Sequence, residues 1–133
     1  MIYGIGTDLV DNGRIAALYE RHGTRLLRQI LTATERAEFA ENPKPAHVLA
    51  KRFAAKEAFA KAAGTGLRKP VAFNQMTITH DTLCKPGFVF GAELAAWLSA
   101  RGIHRCHVSI SDEVSMTCAF VTLESEPLIG AVE

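Results

Sequence analysis

Apolar and polar positions divide the chain into an opening strand, a run of helices and a mixed tail. Residues 2–7 (IYGIGT) are apolar and glycine-spaced and predict a short strand. Asp8 and Asp11 follow where that strand is expected to hand over to a helix. From Asn12 to Leu31 the positions Ile15, Leu18, Leu26, Leu27 and Ile30 recur at helical spacing, and Gly23 breaks the run into two pieces. Thr32-Ala33-Thr34-Glu35 has the capping-box pattern and opens a short helix that ends near Asn42-Pro43. Pro45 suits a first turn, residues 46–63 are rich in helix formers, and Gly64 falls where a C-terminal glycine cap belongs. Beyond Gly66 and Pro70, residues 71–79 and 87–90 predict strands around a turn at Asp81-Thr82. Residues 91–101 predict a helix, and 105–111 with 115–123 an antiparallel hairpin turning at 112–114. This order predicts an α+β fold, an antiparallel sheet packed against helices, with residues 1–133 as one domain.

Composition narrows the class. Hydrophobic residues are 48% and charged residues 22% of the 133, which excludes a disordered chain. No apolar run reaches the roughly 18 residues of a membrane span. An acidic residue by position 8 and no basic leader argue against a secretory signal. Three cysteines, Cys84, Cys106 and Cys118, are an odd number without CxxC spacing, so neither a disulfide framework nor a structural zinc site is expected. These features predict a cytoplasmic protein.

The net charge of +1 conceals an uneven distribution. Residues 44–69 carry seven basic side chains and one acid, Glu57. Such a segment is either a solvated helix face or an anion site. Lys61 lies one helical turn after Glu57 and Phe53 one turn before it, so the three share a face. The glutamate and lysine are read either as a simple ion pair or as chemistry. Gly64-Thr65-Gly66 directly follows and permits close backbone approach to an anion, although a helix cap alone explains Gly64. Asp8 is read as a cap or as a carboxylate facing Glu57, and two such carboxylates with phosphate oxygens suit Mg²⁺. Arg14, Arg21, Arg25 and Arg28 fall on one stripe of an unbroken helix, either a solvated face or a docking ridge for an acidic partner. In the final hairpin Cys106, Val108 and Ile110 alternate with His107, Ser109 and Ser111, which places the cysteine on the buried side. No nucleophile elbow is present, and His22, His47, His80 and His104 lack metal-ligand spacing, so they are read as structural or exposed.

Taken together, these motifs resemble the holo-acyl-carrier-protein synthases, the short class of phosphopantetheinyl transferases. The matching residues are Gly4-Ile5-Gly6-Thr7-Asp8 with Arg14-Ile15, then Arg52-Phe53-Ala54-Ala55-Lys56-Glu57-Ala58 through Lys61, then Gly64-Thr65-Gly66. Phe73-Asn74, Lys85-Pro86 and His107-Val108-Ser109-Ile110-Ser111 continue the match in order. The resemblance implies transfer of 4′-phosphopantetheine from coenzyme A to a serine of apo-acyl carrier protein, in support of fatty acid biosynthesis. It implies Asp8 and Glu57 as Mg²⁺ ligands and Lys61 at the pyrophosphate. Arg52, Lys56 and Gly64, Thr65 and Gly66 would surround coenzyme A. Lys85, Pro86, Ser109 and Ser111 would come from a second subunit of a homotrimer. The arginines at 14, 21, 25 and 28 would meet the carrier protein. The base for the serine proton is left between Glu57 itself and a metal-bound water held by Glu35, with the water favoured. Asp112 departs from the pattern, since many relatives have histidine there. Two other readings are a nucleic-acid-binding module and an inactive relative that only docks carrier protein. A single Trp, two Tyr and a near-neutral charge oppose the first. The intact Asp8, Glu57 and Lys61 oppose the second.

Overall fold

The computed structural model describes residues 1–40 and 42–127, so the single-domain expectation extends over Glu41 and 128–133, which lie outside the described residues. Strand β1 (Ile2–Asp11) is followed by helices α1 (Asn12–His22), α2 (Thr24–Ile30), α3 (Ala33–Phe39) and α4 (Pro45–Ala63). Strands β2 (Met76–His80) and β3 (Pro86–Phe90), helix α5 (Ala92–Ala100), and strands β4 (Ile103–Asp112) and β5 (Met116–Ser125) complete the order. An antiparallel sheet β1-β5-β4 lies against α4, and β2-β3 form a separate antiparallel pair. The α+β expectation therefore holds, with two sheets.

Two details differ from the pattern-based expectation. The first strand runs on to Asp11, so Asp8 sits within the strand opposite Ala119 and only Asp11 caps α1, through Gly13 N and Arg14 N. The predicted strand at 71–79 is limited to Met76–His80, because Phe73–Gln75 closes into a 3-10 turn in which Met76 N–H donates to Phe73 O. Asn74 and Gln75 are poor pleat fillers, and Gln75 instead accepts from Leu94 N with its side chain. Gly23, at φ 54°, separates α1 from α2 as expected. The Thr32–Glu35 capping box is present in full.

Helix α4 is the centre of the molecule. Its residues Leu49, Ala50, Ala54, Ala55, Ala58 and Phe59 have no exposed surface. Its small residues let the sheet approach very closely. A Cβ added at Gly4 would stand 2.0 Å from Ala62 O, and one at Gly6 would stand 2.0 Å from Ala58 O. The glycine spacing of β1 is thus a packing requirement that lowers α4 onto the strand carrying Asp8. Phe53, Glu57 and Lys61, spaced four apart, form the incompletely buried stripe of the C-terminal half of this helix, from Arg52 to Ala63.

Candidate functional site

The close packing of β1 and α4 brings Asp8 and Lys61 together. Lys61 Nζ lies 3.2 Å from Asp8 Oδ1 and donates to Thr7 O at 2.9 Å. Asp8 Oδ2 is buried with no hydrogen-bond partner. Glu57 makes no ion pair among the described residues, and burial, then the charge of Asp8, push its carboxyl above the ordinary glutamate range, partly opposed by Lys61. An orphaned carboxylate oxygen beside a second repelled carboxylate is a site short of positive charge, which a divalent cation would supply. No cluster of three metal-ligating side chains exists among the described residues. The two carboxylates therefore fit Mg²⁺, which is commonly held by one or two carboxylates plus phosphate oxygens and water.

Asp8 and Glu57 border a cleft of about 490 Å³. Its apolar walls include Leu18, Leu26, Ile30, Phe53 and Phe73, with Arg14 and His22 also lining it. Phe53 and Phe73 stack at 5.8 Å between ring centroids. Most of this wall is absent from the motif-based expectation. Phe53 is marked by its spacing from Glu57 and Phe73 by the family resemblance, whereas Leu18, Leu26 and Ile30 carry only a helical pattern; His22, exposed as expected, borders the cleft.

The basic segment is split: Lys44, Lys61, Arg68 and Lys69 are exposed, whereas others turn inward or pair. Arg52 and Lys56 point inward, Lys61 pairs with Asp8, and Lys51 Nζ stands 3.7 Å from Asp112 Oδ1. Arg52 borders a separate cavity of about 260 Å³ with Lys51 and His80. Its Nη2 donates to Glu38 at 3.1 Å, whereas its buried Nη1 has no hydrogen-bond partner. That nitrogen stands 3.7 Å from Glu35 Oε2, an ion pair beyond hydrogen-bond range, so it keeps a donor that a phosphate oxygen would suit.

Two candidates are elsewhere. Lys56 and Glu35 have no exposed surface and are engaged with each other at 2.5 Å, so neither faces coenzyme A nor holds a water in the cleft. The capping box shows Glu35 as a local cap, but its partner lies 21 residues away and leaves no local trace. The Gly64-Thr65-Gly66 loop follows α4, with Gly64 at φ 81° and Gly66 at φ 65°. The N–H groups of Gly64 and Gly66 donate to Lys61 O and Ala60 O, so those two amides are committed to closing the helix. Ser109 and Ser111 lie opposite Phe120 and Cys118 on the sheet face turned away from α4. Lys85 is exposed at the β2–β3 turn, adjoining Pro86 at the start of β3. Neither pair reaches the Asp8–Glu57 cleft within one chain. The four arginines are exposed but divided: Arg14 lines the Asp8–Glu57 cleft and Arg28 a different one with Tyr19 and Phe39.

The model of the 4′-phosphopantetheinyl transferase superfamily matches residues 4–119. The holo-[acyl-carrier-protein] synthase of Nitrosomonas europaea is 58% identical over 93% of this chain and 99% of its own. The crystal structure of the holo-[acyl-carrier-protein] synthase from Neisseria meningitidis superposes with a TM-score of 0.92 at 50% identity, covering 94% of this chain and 100% of that one. The Bacillus anthracis enzyme, in complex with CoA (3′,5′-ADP), superposes with a TM-score of 0.78 at 34% identity over 95% and 99% of the two chains. Among the described residues, no helix is long and apolar enough to cross a membrane.

Proposed function

The chain belongs to the 4′-phosphopantetheinyl transferase superfamily, among its holo-[acyl-carrier-protein] synthases, and from that premise we propose the reaction and the residues that carry it. The protein moves 4′-phosphopantetheine from coenzyme A to a serine hydroxyl of apo-acyl carrier protein and releases adenosine 3′,5′-bisphosphate. The observation that carries this reading is the Asp8–Glu57–Lys61 set, with an unsatisfied buried oxygen on Asp8. The chain acts as one domain in the cytoplasm and supplies holo-carrier protein for fatty acid synthesis.

The chemistry is a displacement at phosphorus. The serine oxygen forms a bond to the phosphorus of the pantetheine phosphate as the bond to the bridging oxygen of the pyrophosphate breaks. Such reactions depend on positioning and charge neutralisation rather than on covalent help from the protein. Asp8 and Glu57 would hold Mg²⁺, which would offset the charge of the pyrophosphate. Lys61 stands beside Asp8 and neutralises the departing phosphate. Arg52, whose Nη1 lacks a hydrogen-bond partner, offers that donor to another phosphate of the nucleotide. The serine proton passes to a water in the cleft or to Glu57, and the enclosed Glu35 is not the group that holds that water. Arg14 and the arginines of α1 and α2 steer the acidic carrier protein to the cleft.

One chain supplies only part of the nucleotide site. The outer face of the β1-β5-β4 sheet exposes Ile5 at 59%, Leu9 at 65% and Phe120 at 46%, next to Ser109 and Ser111. Three large apolar side chains exposed on one strand face suit a protein partner. A homotrimer burying it would carry Lys85, Pro86, Ser109 and Ser111 of one protomer to the cleft of another. A light-scattering mass of one protomer would contradict this assembly. The reaction itself is tested by incubating the protein with apo-carrier protein, coenzyme A and Mg²⁺ and separating the nucleotides. Adenosine 3′,5′-bisphosphate forming in step with carrier consumption supports it, and unchanged coenzyme A overturns it.

A further inference from the structure

We propose that the buried Glu35–Lys56 pair is a positioning device, which holds the apolar wall of the Asp8–Glu57 cleft in the shape that receives the carrier protein's serine. The inference rests on the transferase reading above for the identity of that substrate.

Lys56 is the neighbour of Glu57 on α4, and the helix turns the two side chains in different directions. Glu57 opens to the cleft, and Lys56 enters the interior with no exposed surface. The ammonium has three hydrogens and three acceptors. It donates to Glu35 Oε1 at 2.5 Å, to Ile30 O at 2.7 Å and to Phe73 O at 3.2 Å. Ile30 and Phe73 both line the cleft, yet they are 43 positions apart and belong to the end of α2 and the 3-10 turn before β2. Glu35 fixes the other end. Its Oε1 also accepts from Thr32 N at 3.0 Å, and its Oε2 accepts from Ile78 N at 3.0 Å. One ion pair therefore ties α2, α3, α4, β2 and the cleft-lining turn to a common point.

Stability alone does not explain this choice of residues. Lys56 and Glu35 have no exposed surface, so the pair is held at a desolvation cost. An apolar pair of similar volume often serves a core as well or better. What an apolar pair cannot do is grip two carbonyl oxygens from separate segments. Those carbonyls belong to wall residues, and the ring of Phe73 stacks on Phe53, one turn from Glu57 on the same helix. The pair thus sets how far the wall stands from the reacting carboxylate.

The test compares Glu35→Gln, Lys56→Met and the double variant. Each single change strands a buried charge and is expected to lower the melting temperature. The double variant removes both charges of the pair, leaves Arg52, whose Nη1 stands 3.7 Å from Glu35 Oε2, to its second partner Glu38, and is expected to recover part of that loss. If the pair were structural only, activity would recover with stability. The inference predicts instead that the KM for carrier protein stays raised about tenfold, while adenosine 3′,5′-bisphosphate binding, read by calorimetry, changes less than about twofold. Amide hydrogen exchange at Leu31, Gln75 and Met76, measured without turnover, should accelerate in the double variant. Phe73→Ala, which leaves the ion pair intact, should reproduce the carrier-specific KM rise, and covers the case of a double variant that does not fold. A stable double variant with parental exchange overturns the proposal, as does parental carrier KM in that variant or in Phe73→Ala. Accelerated exchange with no transfer by the parent protein supports the positioning role and overturns the transferase reading instead.

Discussion

Replacing Gly6 by alanine tests whether the site is made by backbone packing. Gly6 faces α4 with no room for a side chain: an added Cβ would lie 2.0 Å from Ala58 O, 2.6 Å from Ala62 N and 2.9 Å from Lys61 Cβ. Two of these neighbours are helix backbone, so no rotamer change relieves the clash. Restoring ordinary contact requires α4 to retreat by about 1 Å, and overpacking of this kind costs about 1–3 kcal/mol. For a chain of this length that lowers the melting temperature by roughly 3–6 °C per kcal/mol. Turnover should suffer more, because Glu57 and Lys61 ride on α4 while Asp8 stays on β1. A misplacement of about 1 Å can lower rate by about a hundredfold. The assay is initial rate of carrier modification at saturating coenzyme A, together with thermal melting. Gly87→Ala is the stability control, since an added Cβ there meets only Thr79 Oγ1 at 3.4 Å. A Gly6→Ala protein with the parent's rate and melting temperature would refute the packing argument.

Further outcomes follow from the same geometry. Glu57→Gln should abolish turnover while leaving the fold intact, as judged by melting and circular dichroism. Because the folded-state pKa of Glu57 is raised, its contribution is fully present below the unfolded value of 4.5 and is lost as pH rises through the folded value. Glu57→Gln should therefore melt higher than the parent at pH 7 in the absence of divalent cations, with no advantage near pH 4, and it should lose the Mg²⁺-dependent rise in melting temperature. Burial pushes the Cys106 thiol from 9.0 up to about 12, so its stabilisation is complete below pH 9 and declines as pH rises toward the folded value. Cys106→Ala should flatten that alkaline decline relative to the parent in urea titrations. Arg14→Glu should raise the KM for carrier protein severalfold and weaken its salt dependence, leaving coenzyme A affinity unchanged.

Much of the fold is written in local pattern. The four-residue spacing of Phe53, Glu57 and Lys61 places them on one stripe, and Gly64 ends α4 in the left-handed conformation that its position suggests. The ordered motifs also carry the family resemblance. What local pattern misses is partnership across sequence distance. Nothing near Lys56 shows that Glu35, Ile30 and Phe73 will surround it, and a lysine in a basic helix reads as a phosphate contact until its burial is seen. Gly4 and Gly6 read as a motif, but their reason is the backbone of α4 lying against them. Asp8 reads as a strand-end residue because the outward alternation of Leu9 and Asp11, which carries β1 three residues further, is short and mixed in polarity. The cleft wall from α1, α2 and the turn at Phe73 consists of ordinary apolar residues, which carry no chemical mark until the fold gathers them.

The central claim is that this chain modifies a carrier serine through the Asp8–Glu57–Lys61 site. The most direct measurement is the intact mass of apo-carrier protein after incubation with coenzyme A and Mg²⁺, run with the parent and with Glu57→Gln. The account predicts a gain of one phosphopantetheine with the parent and none with the variant. An unmodified carrier with the parent, or equal modification by both proteins, would contradict it.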